Sequence, residues 1–164
     1  MKKYTYQQNK KYYNSLDKKR ISVGTLFFDS QDKLLLVKPT YKDHWVLVGG
    51  TVDKNESPLT AAIRETKEEL DLTVKNLRLI SVEYKKFDIY KNEALFFLFY
   101  GGRLSTKQIN KIKLPYSELL DFKFVNINSA KKLLSLTMGS KLNACSKAIK
   151  NKTIAYHENG KQLI

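Results

Sequence analysis

"GTVDKNESPLTAAIRETKEELDL", residues Gly50 to Leu72, is the stretch from which the rest of the chain is read. Ser57 is placed to cap a helix, with Pro58 at the first helical position, where its missing N–H costs nothing. Leu59, Ala62, Ile63, Thr66 and Leu70 recur at helical spacing and predict one buried stripe. Glu65, Glu68 and Glu69 fall off that stripe at i, i+3 and i+4, so they are neighbours on one helix face. Like charges so placed cost roughly a few tenths of a kcal/mol per pair, and glutamates in a last turn oppose the helix dipole. Helix propensity does not account for them. A hard divalent cation does, because Mg²⁺ or Mn²⁺ prefers oxygen ligands and turns mutual repulsion into joint attraction. The glycine pair Gly49-Gly50 brings backbone carbonyls toward the same space with no side chain in the way.

On the N-terminal side, "RISVGTLFFD" (Arg20 to Asp29) and "KLLLVKP" (Lys33 to Pro39) flank the turn "DSQDK" and predict a hairpin. "HWVLVGG" (His44 to Gly50) reads as a short strand ending in the glycine pair. On the C-terminal side, "LRLISVEYKKF" and "EALFFLFYGG" predict two strands, the second almost wholly apolar and therefore central. A short strand at Phe122 to Val125, a helix capped by Ser129, a last helix in "LNACSKAIKNK" and a turn at Asn159-Gly160 complete the pattern. Strands interleaved with helices predict an α/β or α+β sandwich with a mixed sheet. Residues 1–19, polar and rich in Lys and Tyr, read as a basic tail or irregular lead-in to a single domain spanning 20–164.

The chain has 164 residues, is 42% hydrophobic and carries a formal net charge of +14, with 30 Lys+Arg against 16 Asp+Glu. That size supports one hydrophobic core. No apolar run reaches the roughly 18 residues of a membrane span, and no apolar stretch follows "MKKYTYQQNKKYY" as in a secretory leader. Cys145 is alone, which excludes an intrachain disulfide or a cysteine metal site and predicts a reducing, cytoplasmic setting. The positive charge is spread along the whole chain, so it favours phosphate-bearing ligands in general and makes a nucleic acid a possible but not favoured partner.

The spacing of Gly50, Glu56, Arg64-Glu65 and Glu68-Glu69 resembles the Nudix hydrolase signature G-x5-E-x7-R-E-U-x-E-E-x-G-U, and all six fixed charged and leading-glycine positions match. Trp45 and the glycine pair ahead of this box extend the resemblance. It implies a Nudix-type α/β/α sandwich and metal-dependent cleavage of a diphosphate linkage in a nucleoside diphosphate joined to another group. It also implies Mg²⁺ or Mn²⁺ held by Glu65, Glu68, Glu69 and the Gly50 carbonyl, Arg64 orienting a box glutamate, and Glu56 anchoring the loop. The general base is either a box glutamate such as Glu65 or a carboxylate of a later loop, for which Glu118 in "LPYSELLDF", with Asp121 behind it, is the candidate. Lys38, Trp45 and Tyr90 are the expected substrate contacts; Tyr84 and Phe87 are weighed for stacking and read as core.

Three positions depart from the family pattern. Thr66 stands where a bulky aliphatic is usual, which predicts a cost in stability. Asp71 replaces the glycine that ends the helix, and Val48 replaces a proline before the glycine pair. Marks of several subgroups are missing, so the expected substrate is a small nucleotide, either a (deoxy)nucleoside triphosphate or a nucleotide sugar. The alternatives are an RNA 5′ pyrophosphohydrolase, motivated by the basic, tyrosine-rich tail, and a non-catalytic nucleotide sensor.

Overall fold

In the computed structural model, which describes residues 4–86 and 93–164, the apolar runs form strands at the expected places except at residues 44–50, where only isolated bridges to β1 and β2 form. In chain order the elements are α1 (Tyr6–Ser15), β1 (Arg20–Phe28), β2 (Leu34–Pro39), α2 (Pro58–Leu70), β3 (Arg78–Lys85), β4 (Ala94–Arg103) and α3 (Thr106–Ile109). Then follow β5 (Leu119–Val125), α4 (Ile127–Leu133), α5 (Leu136–Gly139), α6 (Leu142–Asn151), β6 (Ala155–Glu158) and β7 (Lys161–Gln162). The strands form one sheet in the order β5-β2-β1-β4-β3-β6-β7, with β4 in the middle. The β1–β4 and β3–β6 pairs are parallel and the rest antiparallel, so the sheet is mixed.

Strand periodicity sends successive side chains to opposite faces. Val23 and Phe27 of β1, with Leu35 and Val37 of β2, pack with Ala61, Ala62 and Leu70 of α2. Leu26 and Phe28, with Leu34 and Leu36, pack on the other face with Ala130, Leu142, Cys145 and Ala148. Both faces are covered, which is why these strands read as continuous apolar runs. This is the expected α/β/α sandwich.

The segment after β2 fixes the position of the glycine pair. Val46 exchanges backbone hydrogen bonds with Val37 of β2 at 2.9 and 3.0 Å. The Val48 carbonyl accepts from Thr25 N–H at 2.7 Å, and the Gly50 carbonyl accepts from Val23 N–H at 2.8 Å. Residues 46–52 therefore wedge between β1 and β2 and lock the glycines against the middle of β1. Val48, in place of the usual proline, has a fully buried side chain in this wedge.

Four expectations change. The tail contains a regular helix, α1, held by a Thr5–Gln8 capping box and burying no residue. The cap of α4 is Asn126, whose side chain accepts from Ser129 N–H at 2.8 Å, and not Ser129 itself. In α2 the covered residues are Ala61, Ala62, Thr66, Glu69 and Leu70, while Leu59 is 44% exposed. At 3.6 residues per turn, the covered face is rotated by roughly 50° from the apolar stripe, toward the glutamates. The Thr66 hydroxyl, fully buried, donates to the Ala62 carbonyl at 2.7 Å, so its polar atom is satisfied within the helix. No helix of the described residues is long and apolar enough to cross a membrane.

Under α6, Glu83 of β3 and Lys141 form an ion pair in which each side chain is 1% exposed, and Glu83 also accepts from Gly160 N–H at 3.0 Å. Lys141→Met removes the buried partner of Glu83, leaving it the Gly160 N–H and the more distant Lys85 ammonium at 3.6 Å, and is expected to lower the unfolding free energy by about 3 kcal/mol. In urea titrations the Lys141→Met/Glu83→Leu double variant recovers part of that loss; equal loss in both variants contradicts the ion-pair account.

Candidate active site

Helix α2 begins with Ser57, whose side chain accepts from Thr60 N–H at 3.1 Å, and ends at Asp71 in the left-handed region (φ 57°). Aspartate therefore takes the conformation usually left to glycine at this helix end. Between these ends the helix presents Glu65 and Glu69 toward the wedge that carries Gly49 and Gly50, while Glu68 is exposed beside them.

The glycines are required by contact. A Cβ on Gly50 would lie 2.7 Å from the Glu65 carboxyl carbon, and one on Gly49 would lie 2.9 Å from the Gly24 Cα. Gly49 also has φ +141°, a conformation that side chains disfavour. One lone pair of the Gly50 carbonyl is committed to Val23 N–H, which holds that oxygen against β1.

Arg64 is the hub of the carboxylates. Its Nε and Nη2 donate to the two oxygens of Glu56, each at 2.9 Å, and its Nη1 donates to Glu65 at 2.9 Å and Glu68 at 2.8 Å. Nη2 also donates to the Thr51 carbonyl at 3.1 Å. Glu56 in turn accepts from Asp53 N–H at 3.0 Å, closing the loop ahead of the helix. The hydrogen bonds from Arg64 hold the Glu56 carboxyl below its usual range. Those to the carboxylates, Glu56 foremost, hold the guanidinium charged.

Glu69 differs from its neighbours. It is 8% exposed, and its Oε2 accepts from Gly49 N–H at 2.8 Å. Burial pushes its carboxyl up to about 8, with the nearby charges of Glu65 and Glu118 adding to the shift and the Gly49 N–H and Lys42 opposing it. Glu65 is also raised, by burial first.

The ordinary value for Glu69 is 4.5, so without a cation the folded carboxyl keeps a proton that the unfolded chain has released. Stability is then greatest below the unfolded value and is lost as pH rises through the folded one. The cation-free protein is expected to melt at progressively lower temperature between pH 5 and 8, and a divalent cation to cancel most of that slope. Calorimetric scans in EDTA and in Mg²⁺ measure this; a flat EDTA profile contradicts the assignment.

Among the described residues no three acidic, histidine or cysteine side chains already converge as a metal-ligating group, because Arg64 holds Glu65 and Glu68 and Gly49 holds Glu69. Each glutamate uses one oxygen in these bonds and keeps the other for a further partner. All-oxygen donors, two raised carboxyls and a side-chain-free approach at Gly50 fit a hard divalent cation.

The carboxylate end opens into a cavity of about 460 Å³. Gly49, Gly50 and Glu69 line one end, Tyr41, Lys42 and His44 belong to the loop after β2, and Trp45, Phe96 and Met138 supply apolar surface. The cavity therefore joins Trp45 and Gly50 to Glu69. Glu118 lies near enough for its charge to act on both Glu69 and Tyr41, and its carbonyl accepts from Thr40 N–H at 2.8 Å. Lys38 does not line the cavity; its ammonium donates to the Lys42 carbonyl at 2.8 Å. Asp121 is paired in register with Lys38 and bonds Phe122 N–H, and Tyr84 bonds Glu93. Tyr90 and Phe87 lie outside the described residues. Sequence reasoning missed Tyr41, Lys42, His44 and Phe96. Tyr41 and Lys42 sit in an irregular loop with no periodic signal, His44 reads as the start of a strand, and Phe96 appears as core of an apolar strand.

Comparison with known proteins agrees with this fold. The family model of the NUDIX domain matches residues 18–142. The RNA pyrophosphohydrolase of Hydrogenovibrio crunogenus is 32% identical over 75 residues, 44% of this chain and 46% of that protein. Human diphosphoinositol polyphosphate phosphohydrolase 2 is 32% identical over 83 residues, 50% of this chain and 46% of that protein. The chain thus spans about half the length of these curated relatives. The crystal structure of the MutT protein from Methanosarcina mazei Go1 superposes with a TM-score of 0.66 at 20% identity, covering 84% of this chain and 99% of that one, which establishes a shared fold. With the six fixed charged and leading-glycine positions of the signature matched, α2 packed against a mixed sheet, and a family model covering residues 18–142, the chain belongs to the Nudix hydrolase family.

Proposed function

We propose that the chain is a metal-dependent hydrolase that cleaves a diphosphate linkage in a nucleoside diphosphate joined to another group, by attack of water at phosphorus. The observation that carries this reading is the buried Glu69, set beside Glu65, Glu68 and the glycine pair at one end of a cavity large enough for a nucleotide. Both curated relatives are named as phosphohydrolases, which supports the reaction class.

Glu65, Glu68, Glu69 and the Gly50 carbonyl are assigned to Mg²⁺, with Mn²⁺ as a substitute. When bound there, the cations neutralise phosphate charge and lower the pKa of a coordinated water. Arg64 orients Glu65 and Glu68, and Glu56 anchors Arg64 and the loop. Glu118, whose charge already reaches Glu69, takes the proton of the attacking water at a carboxylate oxygen, with Glu65 as the alternative base. Trp45 stacks on the nucleoside. Lys38 acts by holding the loop that carries Lys42, and Tyr90 remains a proposed substrate contact. Residues 20–164 form the working domain, with 1–19 appended, in a cytoplasmic setting.

A panel of nucleoside triphosphates and nucleotide sugars, incubated with Mg²⁺ or Mn²⁺ and followed by phosphate or pyrophosphate release, tests the reading. Metal-dependent turnover lost in Glu68→Gln is the expected result. Thermal stabilisation by a nucleotide without turnover of any compound would instead identify a sensor.

A second reading, action on RNA 5′ ends, is favoured by α1, which carries Lys10 and Lys11 with Tyr6, Tyr12 and Tyr13 all at least 60% exposed. Exposed aromatic side chains among lysines suit stacking on unpaired bases. This reading predicts that deleting residues 1–19 weakens binding of triphosphorylated RNA and flattens its salt dependence. An unchanged salt slope removes it.

A further inference from the structure

The cavity has a second charged end that the assigned chemistry does not use. Arg20 of β1 and Lys85 of β3 are each paired in register with Ala94 of the strand between them. Directly paired residues point to the same face, so the two cations flank a single methyl group, and both line the cavity. One row further in, Ser22, Phe96 and Glu83 are paired in the same way. The Lys85 ammonium lies 3.6 Å from Glu83, but that carboxylate is already ion-paired to the buried Lys141. Among the described residues two lysines share one carboxylate and Arg20 adds a third cation, so these side chains together carry net positive charge.

The opposite end is acidic. Arg20 lies three residues along β1 from Val23, whose N–H holds the Gly50 carbonyl, a span of about 10 Å at the rise of a β-strand. Between the ends the walls are Phe96, Trp45, Leu134 and Met138. A complementary ligand has a cation-bound anion at one end, a ring system in the middle and a second anion at the other. A plain nucleoside triphosphate offers only the first two.

We propose that Arg20 and Lys85 bind a phosphate remote from the scissile diphosphate, so that the preferred substrates are nucleoside 5′-polyphosphates bearing a phosphate on the ribose 3′ oxygen. The inference rests on the hydrolase reading above and narrows its substrate class. Two sources share this chemistry: a free nucleotide with a 3′-monophosphate, and the 5′ end of an RNA, whose 3′ phosphate is a diester.

The test compares kcat/KM, with Mg²⁺ at low ionic strength, for three probes. These are a nucleoside 5′-triphosphate, its 3′-monophosphate derivative and a 5′-triphosphorylated dinucleotide of the same base. The 3′-phosphorylated probes are expected to be favoured about tenfold or more, mainly through KM, as a charge-assisted contact gives. The Arg20→Ala/Lys85→Ala double variant brings the ratio of kcat/KM values toward one. Preference for the monoester points to a free nucleotide, and equal or greater preference for the dinucleotide points to RNA ends. Equal kcat/KM for all three probes, or a preference that survives in the double variant, overturns the proposal. No turnover of any probe counts against the hydrolase reading instead. In that case, calorimetric titration with the 3′-monophosphate derivative and Mg²⁺ decides the phosphate site, since an affinity equal to that of the plain triphosphate overturns it.

Discussion

Glu69→Gln is expected to leave the protein folded while lowering metal-dependent turnover by about three orders of magnitude, or about 4 kcal/mol of barrier at 1.36 kcal/mol per tenfold. The fold tolerates the change because the amide oxygen of glutamine can still accept from Gly49 N–H, the bond that Glu69 makes at 2.8 Å. The chemistry does not tolerate it because a neutral amide removes a charge from the most buried of the three carboxylates. Burial is what gives that charge its weight: a low-dielectric site penalises the bare carboxylate and strengthens its attraction for a cation. The same variant should flatten the pH dependence of melting in EDTA, since it deletes the group pushed up to about 8. Turnover within tenfold of the parent, in a folded variant, contradicts the assignment of Glu69 to the metal.

Arg64→Ala is expected to lower both stability and turnover. Its guanidinium donates to Glu56, Glu65 and Glu68 and to the Thr51 carbonyl, so one truncation strips the partner from a cluster of carboxylates. Side-chain exposure is 11% for Glu56 and 14% for Glu65, so water replaces little of what is lost. Removing one partner of such pairs costs about 3–5 kcal/mol in buried cases, and the exposed Glu68 adds little. Arg64→Lys should recover only a small part, because an ammonium cannot reproduce the bidentate fork on Glu56. Urea titration in EDTA measures the stability change. Addition of Mg²⁺ should stabilise Arg64→Ala more than the parent, since cations then become the main relief for Glu65 and Glu68. A lysine variant as stable and active as the parent would show that only positive charge, and not geometry, is needed.

The helix and its cap were legible because Ser57, Pro58 and the carboxylate spacing act locally. The doubly covered sheet was legible because near-continuous apolar runs, as in β2 and β4, are local as well. The environment of Glu69 was not. The apolar stripe placed the three glutamates off the buried face together, whereas the wedge formed by residues 46–52 covers Glu69 and leaves Glu68 exposed. That wedge depends on pairing with β1 and β2, which no property of α2 encodes. Lys42 escaped notice for a related reason. Lys38 sits in a strand that sequence can find, and only the fold shows that it braces the loop while Lys42 reaches the cavity. The Arg20–Lys85 pair depends on register across three strands, with Ala94 between them. Thr66, expected to cost stability, meets its hydrogen-bonding need at Ala62.

The α2 carboxylates are proposed to hold divalent cations. Calorimetric titration of Mn²⁺ into the full chain and into Glu69→Gln at pH 7, repeated in two buffers of different ionisation enthalpy, tests this most directly. The account predicts saturable binding to the parent with release of most of one proton, as Glu69 gives up the proton that burial makes it keep, and binding weakened at least about tenfold in the variant. Equal Mn²⁺ affinity in the two proteins, or no binding to the parent, would contradict it.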